Sequence, residues 1–351
     1  MKVRDGLGGA AVLTDVVPSK GMISVAEVLT RFRESARLGI DSESLATVNL
    51  NAVNERLRRL AAQQSADIHA RLNNEQITVV RGTATLTSDR EVLVSSDAGE
   101  YGLSADIVLI ATGAQPRVLA TAIPDGRRIL TWKQLYDLEE LPQHLIVVGS
   151  GVTGAEFASA YHALGSEVTL VSSREHVLPG QDSDAAQVIE EVFARRGITV
   201  VSKARAESVQ AGSDGVRVQL ADGRVIEGSH CLMAVGSLPN TSGLGLDAAG
   251  VETDERGFVQ VDRVSRTSAR GVYAAGDCTG VEMLASVAAM QGRIAMWHAL
   301  GDAVTPLDLD TVAACIFTDP EIASVGITQR HVLSGDVEAE VMVLPLRTKI
   351  G

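Results

Sequence analysis

The sequence predicts an α/β protein with buried parallel sheets, and three observations predict it. The stretch Leu145–Arg174 reads strand, glycine turn, helix, strand, with Gly149, Gly151 and Gly154 in GxGxxG spacing. Two other apolar runs end on a glycine in the same way, IATGAQP closing at Gly113 and MAVGSLP closing at Gly236. A fourth apolar run, Val272–Ala275, leads into Gly276-Asp277 and so presents a carboxylate at its carboxyl end, the edge at which open α/β sheets bind ligands.

The first of these stretches is the most informative. Leu145-Ile146-Val147-Val148 is a short unbroken apolar run, as befits a strand covered on both faces. Thr153 to Leu164 is helical and closed by Gly165, and Val168–Val171 is the next parallel strand. In such a unit the three glycines serve the tight turn, the approach of backbone to a pyrophosphate, and close helix–strand packing. Phosphates sit at the helix N-terminus, where unpaired N–H groups and the dipole favour anions. The stretch is therefore a dinucleotide site of Rossmann type. At the end of the second strand an NAD-selective site places an acid on the ribose hydroxyls. Here Ser172, Ser173 and Arg174 stand instead, so the expectation is NADPH with NADH tolerated, Arg174 pairing with a 2′-phosphate. The alternative is that Arg174 is a solvated loop charge.

The whole chain sets bounds. Its 351 residues suffice for two or three domains, and no apolar run approaches a membrane span. The start, MKVRDGLGG, lacks the apolar core of a signal peptide. A net charge of −13 argues against nucleic acid and against a stable membrane anchor on anionic lipid. Cys231, Cys278 and Cys315 are far apart, without CxxC or metal spacing, so no metal is expected. The expected setting is cytoplasmic.

Taken in order, the chain opens with Gly8–Lys20, GGAAVLTDVVPSK, followed by a helix with Val25, Val28, Leu29, Phe32 and Ala36 on one face. A longer helix spans about Ser44 to Asn74, its apolar stripe being Val53, Leu57, Leu60, Ile68 and Leu72. Strands are expected at Thr78–Arg81, Thr83–Leu86, Glu91–Ser95 and Asp106–Ile110, and later at Thr199–Ser202, Val216–Leu220 and Leu232–Val235. Ala285–Leu300 reads as a helix with Val287, Met290, Ile294 and Leu300 inward, stopped by Gly301. Thr311–Gly326 begins another strand-rich unit.

These pieces, GG…PSK, ATG (111–113), GSGVTGAEFA (149–158), AVGSLPN (234–240), VYAAGDC (272–278) and FTDPEIASVG (317–326), stand in an order that resembles one family. It is the pyridine nucleotide-disulfide oxidoreductases, flavoproteins with two dinucleotide-binding domains that include lipoamide dehydrogenase and glutathione reductase. The chain is most similar to the NAD(P)H quinone reductase branch without the redox cysteines. The resemblance implies FAD as a second cofactor, Asp277 on the flavin ribityl chain, and Lys20 near flavin N5, held by Glu156. It also implies that Leu284 and Ala285 open a helix whose positive end faces the flavin pyrimidine. Gly113 and Gly236 would mark the two nucleotide modules. A small quinone-like acceptor and a homodimer are the implied partners.

Three departures qualify the resemblance. The positions of the two redox cysteines hold Ala11 and Val16, which cannot form thiolates, so disulfide reduction by that route is not expected. The family's N-terminal βαβ unit, which cradles the FAD pyrophosphate, is expected before Gly8, where seven residues stand; the C-terminal interface domain is expected to be cut short. Domains are accordingly expected at 1–140 with 263–304 (FAD, incomplete), 141–262 (NAD(P), complete) and 305–351 (the start of an α+β interface domain). Two functions follow. One is an enzyme passing a hydride from NADPH or NADH to FAD and electrons to a quinone-like acceptor. The other is a chain that binds pyridine nucleotide without turnover.

Overall fold

The structure is a computed structural model that describes residues 6–40 and 46–344. Its centre is a five-stranded parallel sheet in the order Ile129–Leu130, His230–Met233, His144–Val148, Glu167–Val171, Thr199–Val201. Successive side chains of a strand point to opposite faces, and the two cores divide accordingly. Leu145, Val147, Val168, Leu170 and Leu232 join one apolar cluster, while Ile146, Val148, Val171, Cys231 and Met233 join another. A sheet buried on both sides is what the unbroken apolar runs require. Each fully buried Leu, Ile or Val there contributes about 1.5–3 kcal/mol.

The two faces are covered differently. Helices Val152–Leu164 and Ser183–Arg196 cover the first, each closed by a left-handed glycine, Gly165 at φ 119° and Gly197 at φ 99°. The second helix is absent from the sequence reading, although Asp182 before it and Gly197 after it are ordinary start and stop signals. An antiparallel meander, Ala206–Ala211, Val216–Leu220 and Val225–Gly228, covers the other face through Val209, Val218 and Leu220. Only its middle strand is expected from the sequence. Ile129–Leu130, N-terminal to the expected domain boundary at 141, pairs as an edge of the parallel sheet.

The N-terminal helices depart from the expected faces. The first long helix starts earlier, at Val16, so that the PSK motif is its first turn, and it runs to Glu34. It buries Pro18, Ser19, Met22, Ile23, Ala26 and Leu29, whereas Val28 and Phe32 are exposed at 64% and 36%. The helix is pressed along the Val152–Leu164 helix from Lys20, paired with Glu156, to Arg33, bonded to the Ala163 carbonyl, and that contact sets its rotation. The Leu50–Asn74 helix buries Leu50, Asn54, Leu57, Ala61 and Ser65, leaving Leu60 exposed; the expected start at Ser44 lies outside the described residues. Asn54 is usable in the core because its amide donates to the carbonyls of Leu135 and Leu138 at 3.3 and 2.8 Å.

Thr78–Arg81 forms no strand. A meander of Thr83–Leu86, Glu91–Ser96 and Gly99–Ser104 follows, and then Val108–Ile110, which pairs in parallel with Val272–Ala274 as a two-stranded sheet. The helix Ala285–Ala299 packs beside it through Val287, Gln291, Ile294 and Ala295; Met290 and Leu300, expected inward, are 39% and 79% exposed. Gln291 takes the inward place because its carbonyl oxygen accepts the Gly276 N–H at 2.8 Å.

Candidate cofactor and charge sites

The turn Gly149–Gly154 has the geometry that its spacing predicts. Gly149 is left-handed, φ 112°, and a Cβ there would lie 2.1 Å from the Ala234 carbonyl oxygen. A Cβ on Gly154 would lie 1.8 Å from the Gly149 carbonyl oxygen, so helix and strand touch through that residue. At Gly151 a Cβ would meet nothing within 4 Å. The two outer glycines are thus required by the protein's own packing, and the middle one faces open space at the N-terminus of the Val152–Leu164 helix. No side chain caps that terminus, which leaves its N–H groups for an anion.

The end of the second strand corrects one expectation. Ser172 is fully buried and its hydroxyl is committed internally, 2.7 Å from Ser150 Oγ and 3.1 Å from the Arg174 N–H that it accepts. It braces the strand end against the glycine turn and is not presented to a ribose. Ser173 and Arg174 are exposed, and the Arg174 guanidinium has no partner among the described residues. Glu175, the carboxylate next along, is paired with Lys203 at 2.7 Å, a hydrogen bond that holds its pKa below the usual range. Lys203, whose N–H also bonds the Arg174 carbonyl at 2.9 Å, is a second cation at this edge. Nothing local in the sequence marks it, since it comes from the third strand's end.

A separate cluster forms where the PSK helix meets the Val152–Leu164 helix. Lys20 Nζ lies 2.7 Å from Glu156 Oε2, with the Lys20 side chain 33% and the Glu156 side chain 6% exposed. Glu156 Oε1 accepts the Phe317 N–H at 2.9 Å, so both oxygens of a buried carboxylate are satisfied. The two residues expected to pair do so across 136 positions of chain. Asp15, immediately before the helix, belongs to the same cluster and is missed by the sequence reading. Burial pushes its carboxyl up, Lys20 and Lys133 pull it down, and Glu156 and Asp277 push it up further. Ala11 and Val16 flank it on the same segment, half-buried.

Asp277 stands in the turn after Val272–Ala274. Gly276 is left-handed, φ 80°, and Thr279 Oγ1 donates to its carbonyl at 2.8 Å while Gln291 receives its N–H. The half-buried Asp277 carboxylate accepts no hydrogen bond among the described residues, and burial raises its pKa. Such a group is suited to hydroxyl donors of a ligand. Cys278, next to it, is fully buried with its thiol donating to Ala275 O, and burial pushes the thiol pKa up, so it is a small apolar residue and not a nucleophile. Leu284 is the N-cap residue of the Ala285–Ala299 helix, with no side-chain cap bond at that terminus.

The paired glycines turn out to be joined to each other. Ala114–Pro116 and Ser237–Pro239, which follow Gly113 (φ 68°) and Gly236 (φ 96°), form an antiparallel ladder. Arg117 N–H donates to Gly236 O and Asn240 N–H to Gly113 O, both at 2.9 Å. The repeated device is a cross-connection between the two sheets.

Parallel sheet, glycine turn and carboxylate turn together define a dinucleotide-binding oxidoreductase fold. The chain belongs to the pyridine nucleotide-disulphide oxidoreductase family, whose model matches residues 3–292. It is 54% identical over 353 residues to an NAD(P)H dehydrogenase (quinone) of Mycobacterium tuberculosis, covering 98% of this chain and 71% of that protein. A dihydrolipoyl dehydrogenase of Chlorobaculum parvum is 35% identical over 333 residues, covering 93% and 71%. The crystal structure of LpdA from M. tuberculosis superposes with a TM-score of 0.91 at 52% identity, covering 98% of this chain and 75% of that one. The HOCl-induced flavoprotein disulfide reductase RclA of Escherichia coli shares the fold, with a TM-score of 0.83 at 24% identity. The cofactors of this family are FAD and NAD(P)H. No helix among the described residues is long and apolar enough to cross a membrane.

Proposed function

We propose that the protein is an NAD(P)H-dependent flavoprotein reductase of quinone-like acceptors that works without a redox-active disulfide. The observation that carries this reading is the Lys20–Glu156 pair at 2.7 Å on a motif segment that bears Ala11 and Val16 and no thiol. Bound FAD supplies the hydride-accepting and electron-donating chemistry. The chain's residues divide the remaining work. Gly149, Gly151 and Gly154 admit a pyrophosphate to the helix N-terminus, with Ser173 and Arg174 beside the ribose and Arg174 favouring a 2′-phosphate, so that NADPH is preferred over NADH. Asp277 would accept from ribityl hydroxyls, and the helix that Leu284 and Ala285 open would offer its N–H groups to the ring. Lys20, fixed by Glu156, holds positive charge beside the reacting edge. With no thiol relay, a planar quinone meets the flavin directly. We include a homodimer in this reading.

One observation favours a second reading, nucleotide binding without turnover. The Gly149–Gly154 turn is packed and braced within the chain, whereas the Asp277 carboxylate accepts no hydrogen bond among the described residues. Purification with added FAD, followed by anaerobic NADPH and then a benzoquinone, separates the two. A yellow protein bleached by NADPH and recoloured by quinone, without lipoamide turnover, is the expected result. A colourless protein that still binds 2′-phospho-ADP-ribose would establish the second reading instead.

A further inference from the structure

A C-terminal hairpin packs against the Lys20–Glu156 pair. It consists of Ala313–Ile316 and Ile322–Val325, and the FTDPE turn that joins them sits on the Val152–Leu164 helix. Asp319 N–H donates to Ser159 Oγ at 3.2 Å, and Arg196 reaches both the Asp319 carbonyl and its carboxylate, at 2.7 and 2.8 Å. These bonds fix the turn, and the turn brings Phe317 onto the Lys20–Glu156 pair by two independent contacts. Its N–H occupies Glu156 Oε1, and its ring lies under the Lys20 ammonium, 4.8 Å from Nζ to the centroid.

We infer that Phe317 is the positioning residue of Lys20, its amide orienting Glu156 and its ring face holding the ammonium against that carboxylate. A lysine side chain has four rotatable bonds and a strongly hydrated head, so one ion pair at a partly exposed site leaves it free to leave. A second attraction, to the negative face of an aromatic ring, removes that freedom. The geometry divides the tasks cleanly. The amide does not depend on the side chain at 317, so any residue there but proline keeps Glu156 in place, whereas only an aromatic ring adds the second restraint on Lys20. Phe317 is half-buried and also packs against the main core, and a structural role must therefore be separated from a positioning one.

The inference deepens the proposed function, since Lys20 matters there as the charge beside the flavin, but its test needs no flavin. The chain has five lysines, Lys2, Lys20, Lys133, Lys203 and Lys349, so protein labelled at lysine ¹³Cε gives a short spectrum in which Lys20→Met assigns Lys20. In the unsubstituted protein the Lys20 ε-protons should lie upfield of the others through the Phe317 ring current. Phe317→Leu should abolish that displacement and raise Lys20 acylation by acetic anhydride, relative to Lys203, by about threefold to tenfold. Phe317→Tyr should preserve both. Absence of the upfield displacement in the unsubstituted protein would overturn the inference, whatever the fate of the variants. So would equal changes in the Leu and Tyr variants, which would make the ring a packing element alone. Failure to bind FAD would sink the proposed function and leave these readouts intact.

Discussion

The parallel sheet around Leu145–Val148 and the two-strand sheet of Val108–Ile110 with Val272–Ala274 use one device, a strand running into a glycine at its carboxyl end. They differ in how completely the protein satisfies the device. Around Gly149 three pairings within the chain brace the turn from behind: Gly149 N–H with Val171 O, Ser150 with Ser172, Leu178 N–H with Ser150 O. Five strands and two cores stand behind it. Around Gly276 the backbone is braced by Gln291 and Thr279, yet the Asp277 carboxylate is left without a donor among the described residues. One turn is braced from behind and opens only its uncapped helix N-terminus, whereas the other presents a carboxylate with no donor among the described residues. The difference teaches that the same local sequence signal can mark a preformed cradle or a group whose partner is external.

The largest effect tests the completeness of the first region. Gly154→Val should destroy it, since the new Cβ would stand 1.8 Å from the backbone oxygen of Gly149. Overpacking of well-filled sites costs typically about 1–3 kcal/mol, and here the obstacle is backbone that cannot step aside. Calorimetry should show a much lowered or absent transition, while a Gly151→Ala variant, with nothing within 4 Å of its Cβ, should melt normally and lose nucleotide affinity. Equal melting of the two would show that the outer glycine is not a packing requirement.

Lys20→Met comes next, because it strands Glu156 in a buried place with one oxygen unpaired. Breaking a buried pair costs about 3–5 kcal/mol, and the 33% exposure of Lys20 puts the expected loss at or below the lower figure. Denaturant titration of Lys20→Met and of Lys20→Met with Glu156→Gln should show the second change restoring part of the loss. A loss no smaller in the double variant would mean that the pair is not the source.

The ribose edge yields a smaller effect, visible in binding only. Arg174→Ala should weaken NADPH by about 1.5–3 kcal/mol, the worth of a hydrogen bond to a charged group, and leave NADH nearly unchanged. Isothermal titration with both nucleotides checks it. If both weaken alike, the exposed guanidinium plays no part in selecting the 2′-phosphate.

The smallest effect concerns Asp15 and is a matter of pH. Burial raises its folded pKa above the unfolded value near 3.8, against the opposing pull of Lys20 and Lys133 and with the push of Glu156 and Asp277. A raised carboxyl pKa contributes stability that is fully present below the unfolded pKa and is lost as pH rises through the folded one. Asp15→Asn should therefore raise the Tm at pH 7 and change it little near pH 3.5. A loss of stability at pH 7 would mean that the attraction to Lys20 outweighs burial.

Much of this was legible in the chain. The glycine turn with its strands and helix and the Gly276-Asp277 turn are reachable because their information is local, and the Lys20–Glu156 pairing only through resemblance. The helix faces were less legible. Val28, Phe32, Met290 and Leu300 fit helical spacing but are exposed, because the rotation of a helix is decided by what it packs on. Short strands such as Ala206–Ala211 and Val225–Gly228 were hidden by their polar outer faces, which dilute the apolar alternation. Position along a strand does not reveal that the Ser172 hydroxyl bonds the neighbouring turn at Ser150.

By itself the sequence determined the βαβ unit and its glycine chemistry, since hydrogen-bond period, the need for positive φ at Gly149 and the forbidden Cβ at Gly154 all act within a few residues of chain. Tertiary structure alone decided that Gly113 and Gly236 are tied to each other, that Lys203 shares the edge of Arg174, and that Asp15 and Phe317 gather around Lys20. Apart from Asp15, which stands five positions before Lys20, those groups lie tens to hundreds of residues apart. Their meeting depends on how packed layers stack, and no local pattern of side chains encodes it.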